Sequence, residues 1–361
     1  MTAAVKIQPA VIAISETEVP SVSSATPCFR TAIVLPKTTR LDWEKQKHPH
    51  RSLVQVLQQL RNKGHDVEGM LESDRKQKAA LAEIIARLDE AHITTQVVSR
   101  QSLSAAVKWA DLVVSAGGDG TFLTAAAAVT DKTPVIGINT DPVGSEGHLC
   151  IGGKNPPHDL IERIVSGRFR YSNRSRIRVT ALNKKPDARA DCILALNEVF
   201  VGEDEAAKVS TYSISIDDSP MVKQKSSGLI VSTGTGSTSW YYGMNRVEEQ
   251  TVSAILEAMQ SMGLEVKANT RELAGEITRK MNDKIAFEPS HPNFAYSIRE
   301  PIFNGTFQRT SVRGFARRIR LKSKCSRGFL VLDGATKIPF SSGAEFLLEI
   351  NEADALRTIT L

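Results

Sequence analysis

Cysteine is scarce, with four in 361 residues (Cys28, Cys150, Cys192 and Cys325) and no C-x-x-C pair among them. That spacing excludes a disulfide framework or a thiolate zinc site and fits a reducing compartment. No apolar run approaches the ~20 residues of a membrane span. Aromatic residues are only 6% of the chain. None is interleaved in the densest basic stretch, Arg317 to Arg327, which removes the stacking platform a nucleic-acid partner would need. Charge of one sign is also in short supply: 46 basic against 40 acidic residues give a net charge of +6. So small an excess suits anionic ligands such as nucleotides and makes no case for nucleic acid by itself. Arginine is missing before Arg30, and the first 28 residues carry one lysine, Lys6, beside Glu16 and Glu18. Transit peptides are arginine-rich and acid-poor. On composition this stretch is therefore a disordered tail and not a convincing transit peptide, which leaves a cytoplasmic location open.

What remains is ordinary globular material, 41% apolar and 24% charged, long enough for two domains. Residues 29–160 read as an α/β domain. Thr31 to Leu35 is a short apolar strand, and Leu53 to Leu60 has helical character. A helix begins near Ser73, with Leu81, Ile84, Ile85 and Leu88 on one face. Strands at Ile93 to Val98, Asp111 to Ser115 and Pro134 to Asn139 alternate with helices at Leu103 to Trp109 and Thr121 to Thr130. Such alternation implies right-handed crossovers and a Rossmann-like parallel sheet.

Residues 161–361 change texture. Arg176 to Thr180, Tyr212 to Ile216 and Arg318 to Lys322 alternate polar and apolar residues. The stretch from Ile193 to Val201 is nearly all apolar, and Asp217 to Pro220 is a turn. Phe329 to Leu332, Phe346 to Ile350 and Leu356 to Leu361 add further strands, so this half reads as a mainly antiparallel β-sandwich. A helical insertion at about 245–282 interrupts it. Val252, Ile255, Leu256 and Met259 share one face there, Leu273, Ile277 and Met281 another, and both are packing or dimer helices.

Three stretches carry chemistry. In the first, the strand Val113 to Ser115 runs into Gly117-Gly118-Asp119-Gly120-Thr121, and a helix of short side chains follows. Glycines let a phosphate or ribose approach the backbone, and the helix start aims N–H groups at it. One carboxylate, Asp119, lies where such a ligand would sit, which is the composition of a phosphoryl-transfer site acting on a nucleotide hydroxyl. The second is Asn197-Glu198, a buried amide and carboxylate inside an apolar strand. They need hydrogen-bonding partners, which an adenine edge or ribose diol would supply. The third, Gly228 to Gly243, passes from strand to a Thr235-Gly236-Ser237-Thr238 loop offering backbone and hydroxyl donors to a pyrophosphate. Trp240, Tyr241 and Tyr242 then offer a ring face. Asp141, Glu146 and Glu198 are magnesium-ligand candidates by residue type alone.

Together the three stretches resemble the NAD kinase family over most of the chain, from about Thr31 to Leu361. Lys37 to Arg40, Gly137 to Pro142, Ser145 to Cys150, Arg299 to Ile302 and Leu356 to Thr358 are similar to its mitochondrial branch. The resemblance implies an ATP-dependent kinase with Mg²⁺ that phosphorylates the adenosine 2′-hydroxyl of NAD to give NADP. It further implies a mitochondrial homodimer. Asp119 would be the general base, and Asn197 and Glu198 would hold the adenine and ribose groups. Gly118, Gly120 and Thr121, with Thr235, Gly236, Ser237, Thr238 and Trp240, would line the dinucleotide site. Three positions and one turn depart from the commoner pattern: Ser227 stands in place of Asp, Gly234 in place of Pro and Trp240 in place of Tyr. Gly144 to Leu149 replaces a Leu-Gly-Phe-Leu-like turn. Two other readings share the glycine loop: a lipid kinase of the diacylglycerol or sphingosine type, and a non-catalytic nucleotide sensor.

Overall fold

The computed structural model describes residues 28–183, 193–265 and 269–361. The tail ahead of Cys28 and the thiol of Cys192 lie outside them. The first part of the chain runs β1 (Thr31–Pro36), α1 (Arg40–Lys47), α2 (Leu53–Asn62), α3 (Val67–Glu90), β2 (Thr94–Val97), α4 (Leu103–Ala106) and β3 (Leu112–Ala116). It continues through α5 (Asp119–Ala128), β4 (Val135–Ile138), α6 (Leu160–Val165) and β5 (Arg170–Arg174). Strands β2, β1, β3 and β4 form the expected parallel sheet. The buried faces of β1 and β3 need apolar residues on both sides, which is why Ala32 to Leu35 and Leu112 to Val114 read as unbroken runs.

Two helix starts differ from the sequence reading. The helix placed at Ser73 begins at Val67, with Asp66 as its cap accepting from the Gly69 N–H. Its first half hides from an apolar count because two of its buried residues are polar. Asp74 accepts from the Thr39 hydroxyl, and Gln77 donates to the Ala116 carbonyl at the end of β3. The glycine-loop helix starts at Asp119 itself, two residues before Thr121, with Gly118 as N-cap.

The second part contains β6 (Ile177–Ala181), β7 (Ile193–Ala195), β8 (Glu198–Glu203), β9 (Ser210–Ile216), β10 (Val222–Ser226) and β11 (Gly228–Ser232). Helices α7 (Trp240–Asn245), α8 (Glu249–Ser261) and α9 (Thr270–Asn282) follow. The chain closes with β12 (Phe294–Arg299), β13 (Arg313–Ala316), β14 (Arg318–Ser323), β15 (Gly328–Leu332), β16 (Thr336–Pro339), β17 (Glu345–Ile350) and β18 (Leu356–Thr360). Two six-stranded sheets, ordered β10-β9-β14-β17-β6-β7 and β13-β12-β11-β8-β15-β16, pair antiparallel throughout. Their inner faces share one core, from Ile177 and Tyr212 of one sheet to Val199 and Phe294 of the other. Outward positions are charged: Arg318, Arg320 and Lys322 pair with Glu349 and Glu345 across the ladder. The basic stretch noticed in the sequence is therefore an outer strand face.

Two expectations need correction. Leu356 to Leu361 does not stay with the antiparallel half. Strand β18 enters the first sheet, parallel to β4 and antiparallel to β5. Nor is Asn197-Glu198 in mid-strand. The apolar stretch splits into β7 and β8, which belong to different sheets, and Leu196 and Asn197 form the crossing point. In the insertion, Val252 and Leu256 pack against Ala274 between α8 and α9, while Ile255, Met259 and Met281 are exposed.

Candidate active site at the domain seam

Asp119 sits in the first turn of α5, where the positive end of the helix dipole favours a negative charge. Its carboxylate accepts one backbone N–H on each oxygen, from His148 at 3.2 Å and Leu149 at 2.7 Å. The turn 144–149, a departure in the sequence, is thus what orients the acid. Gly147 makes that turn possible with φ of +66°, and a Cβ there would lie 2.6 Å from the Asn139 amide nitrogen. Gly118 is needed for the same packing, since a Cβ would stand 2.4 Å from the Ser145 hydroxyl. Gly120 differs, with open space where its side chain would be. Thr121 is buried, its hydroxyl turned back toward Gly117.

Leu196 carries the second stretch to the same place. It is buried with Phe122 of α5, Leu149 of the turn and Leu356 of β18 in one apolar cluster. Asn197 and Glu198 follow directly. Asp333, at the tight turn between β15 and β16, holds them by accepting the N–H groups of Leu196, Asn197 and Glu198 at 2.8, 2.8 and 3.1 Å. Asn197 Oδ1 and Glu198 Oε2 are both buried without a hydrogen-bond partner. Unsatisfied buried polar atoms are costly in a native fold, and a ligand hydroxyl or amine would relieve both. Burial, aided by the nearby Asp333 carboxylate, pushes the Glu198 carboxyl up to about 7. Asp333 is itself raised by burial, against the opposing effect of its three N–H donors.

The third stretch wraps these residues. Thr233 N–H donates to the Asn197 carbonyl, and a Cβ on Gly236 would lie 2.2 Å from that same oxygen. Gly234 is pinned in the same way, 1.9 Å from the Glu288 carbonyl. The small residues of this loop thus serve loop-on-loop packing first. Ser237 is fully engaged, donating to Gly234 and accepting from Phe287 N–H. Thr235 is buried and Thr238 exposed. Trp240 is 43% exposed and stacks on Phe200 with ring centroids 4.6 Å apart.

Arg174, absent from the sequence reading, ties the halves together. It lies on β5 and donates to the Thr235 hydroxyl at 3.3 Å, and its Nε is buried without a partner. Burial lowers its pKa, and the Asp119 carboxylate acts in the opposite direction. No pattern around Arg174 or Asp333 could have revealed them except the Asp333-Gly334 dipeptide, a turn signal. Of the metal-ligand candidates, Asp141 pairs with Lys37 at 3.1 Å and Glu146 with Lys154 at 2.6 Å. Among the described residues no three His, Cys, Asp or Glu cluster to hold a metal. The Cys150 thiol, raised to about 12 by burial and by Asp119, is no nucleophile.

A parallel α/β domain joined to an antiparallel sandwich, with a glycine-rich acidic loop and orphaned polar atoms at their seam, defines a nucleotide-type ligand site. Comparison with known proteins narrows the class. Residues 45–169 match the ATP-NAD kinase N-terminal domain and residues 196–264 the ATP-NAD kinase C-terminal domain. The chain is 35% identical to NAD kinase 2, mitochondrial, of Rattus norvegicus, over 91% of its length and 87% of the relative. Against the Homo sapiens protein of the same name it is 36% identical, over 91% and 84%. The chain belongs to the NAD kinase family. Two solved structures share the fold. One is an NAD kinase from Archaeoglobus fulgidus in complex with ATP (TM-score 0.53, 18% identity, 91% of this chain and 92% of that one). The other is yeast NADH kinase complexed with NADH (TM-score 0.53, 15% identity, 94% and 88%).

Proposed function

We propose that this protein transfers the γ-phosphoryl group of ATP to the adenosine 2′-hydroxyl of NAD, making NADP, with Asp119 as general base. Family membership supports the reaction. The observation that carries the site is an oriented carboxylate in the first turn of α5, sharing a seam with the partnerless Asn197 Oδ1 and Glu198 Oε2. A ribose hydroxyl is a poor nucleophile at neutral pH, and a placed carboxylate contributes ~10²–10⁴-fold by accepting its proton. As the 2′-oxygen bonds to the γ-phosphorus, the bond to the bridging oxygen breaks. ADP leaves, and the proton rests on Asp119.

Gly120, Thr238 and Trp240 present free surface to the dinucleotide, whereas Gly118, Thr121, Thr235, Gly236 and Ser237 shape the loops behind it. Arg174 supplies positive charge beside the base, where incoming phosphate and carboxylate would otherwise repel. Magnesium enters with the triphosphate as part of the substrate, in keeping with carboxylates already paired to lysines. A mitochondrial location is supported by the names of the relatives, and a homodimer by the exposed Ile255, Met259 and Met281 of α8 and α9.

Nothing in the comparisons favours a lipid kinase or a silent sensor. The test is incubation of the purified protein with ATP, Mg²⁺ and NAD, with product read by an NADP-specific dehydrogenase. NADP accumulating in step with ADP is the expected result. ATP consumption with a lipid head group and none with NAD would overturn the reading.

A further inference from the structure

The chain leaves one sandwich sheet at Ala195 and joins the other at Glu198. A strand that changes sheets gives up ladder partners, and buried peptide groups left unpaired are costly. Here they are matched. Just past β11, the Thr233 hydroxyl donates to the carbonyls of Leu196 and Asn197, and its N–H donates to Asn197 as well. The N–H side falls to Asp333, which accepts from Leu196, Asn197 and Glu198 and donates its own N–H to the Glu198 carbonyl at 3.0 Å. A turn alone does not explain this aspartate. Asp333 and Gly334 both lie in the left-handed region, with φ of +48° and +68°, where asparagine fits equally well. A carboxylate, unlike an amide, accepts on both oxygens: Oδ2 takes Leu196, and Oδ1 takes Asn197 and Glu198.

Both Asp333 oxygens are committed to backbone, while Asn197 Oδ1 and Glu198 Oε2 stay unpartnered. The crossing is held and its polar tips are free, which is how a preorganised site avoids ordering costs on binding. We propose that Asp333 is a positioning residue for the phosphoryl acceptor, holding the crossing so that the Asn197 amide and the Glu198 carboxyl face the ligand together. The proposal rests on those two side chains holding NAD. Asp333 also works through its charge. Strand β11 sets Ser232 opposite Glu198, and the Thr235 loop brings Ser239 to the Asn197 amide. Asp119 acts on Arg174, and Arg176 acts on Asp333. Burial opposes ionisation of Glu198 first, and among the charged groups of the described residues Asp333 adds to that opposition. Affinity for NAD therefore changes with pH near the point where Glu198 titrates, at about 7.

Asp333→Asn in the full chain tests it. The amide keeps the turn and one acceptor oxygen, loses the charge and sets an N–H group against a peptide N–H. KM for NAD is expected to rise about tenfold, with KM for ATP within about twofold and kcat within about threefold, because binding is lost for the acceptor alone. Calorimetric titration with NAD weakens in parallel. The pH at which NAD affinity changes moves down, since a like charge no longer opposes ionisation of Glu198. Gly334→Ala separates positioning from stability. It strains the same turn while its Cβ meets open space, so the melting temperature falls and the KM for NAD and its pH profile hold. Should Asp333→Asn not fold, Asp333→Ser, shorter and still an acceptor, carries the same expectations. A pH profile that stays in place, or KM values for NAD and ATP that rise equally, overturns the role of Asp333. Glu198→Gln keeps the underlying reading apart: it should abolish the pH-dependent change in NAD affinity. A wild-type profile in that variant would strike Glu198 as an NAD ligand, and the split between the two KM values still decides Asp333.

Discussion

The surroundings of Glu198 work against its charge. Its carboxyl is pushed up to about 7, from an ordinary 4.5, by burial and by the neighbouring Asp333. A group raised in the folded state favours folding while protonated. Its contribution is complete below the unfolded value and disappears as pH climbs through about 7. Glu198→Gln should therefore unfold with a flatter pH dependence. At pH 8 it should exceed the wild type by up to about 3 kcal/mol, and at pH 4 the two should converge. Denaturant titrations at the two pH values check this; a constant difference between the proteins would show that Glu198 keeps an ordinary pKa. The identity of Glu198 as a buried, partner-seeking carboxylate was legible in the sequence. Its anchoring by Asp333 was not, because the two residues meet only through strand pairing across 135 positions.

At the scale of the element, α5 depends on what holds its two ends. Its N-terminal turn carries Asp119, clamped by the 144–149 turn. At the other end the carbonyls of Ala126 and Val129 would be orphaned inside the protein. The guanidinium of Arg176, 2% exposed and just ahead of β6, donates to them at 3.1 and 2.7 Å. A sandwich residue thus caps the helix that bears Asp119. Arg176→Met removes these donors and should cost about 3 kcal/mol of unfolding free energy, since buried carbonyls lose charge-assisted partners. Thermal melting measures it, and an unchanged melting temperature would mean that water or another side chain replaces the cap. The short side chains of α5 and the strand before it announced the helix. Its true start at Asp119 was masked because an acid between glycines looks like loop until the N–H groups facing it are known.

Across the whole molecule, the legible part was local pattern: buried parallel strands as apolar runs, antiparallel strands as alternation, and the glycine loop between them. Sheet membership was not legible. Leu356 to Thr360 has the texture of any strand, yet it returns across the chain to lie between β4 and β5, so the two domains are stitched by sequence-distant pairing. The same stitching brings Leu196, next to Asn197, onto Phe122 of α5 and Leu149 of the turn that holds Asp119. The proposed mechanism makes one acid answerable for chemistry and leaves dinucleotide binding to other residues. Calorimetric affinity for NAD and the rate of NADP formation, measured on one preparation of Asp119→Asn, put it to the test. NAD affinity should hold within about threefold while turnover falls ~10²–10⁴-fold. Turnover near the wild-type rate, or a loss of affinity as large as the loss of rate, would contradict it.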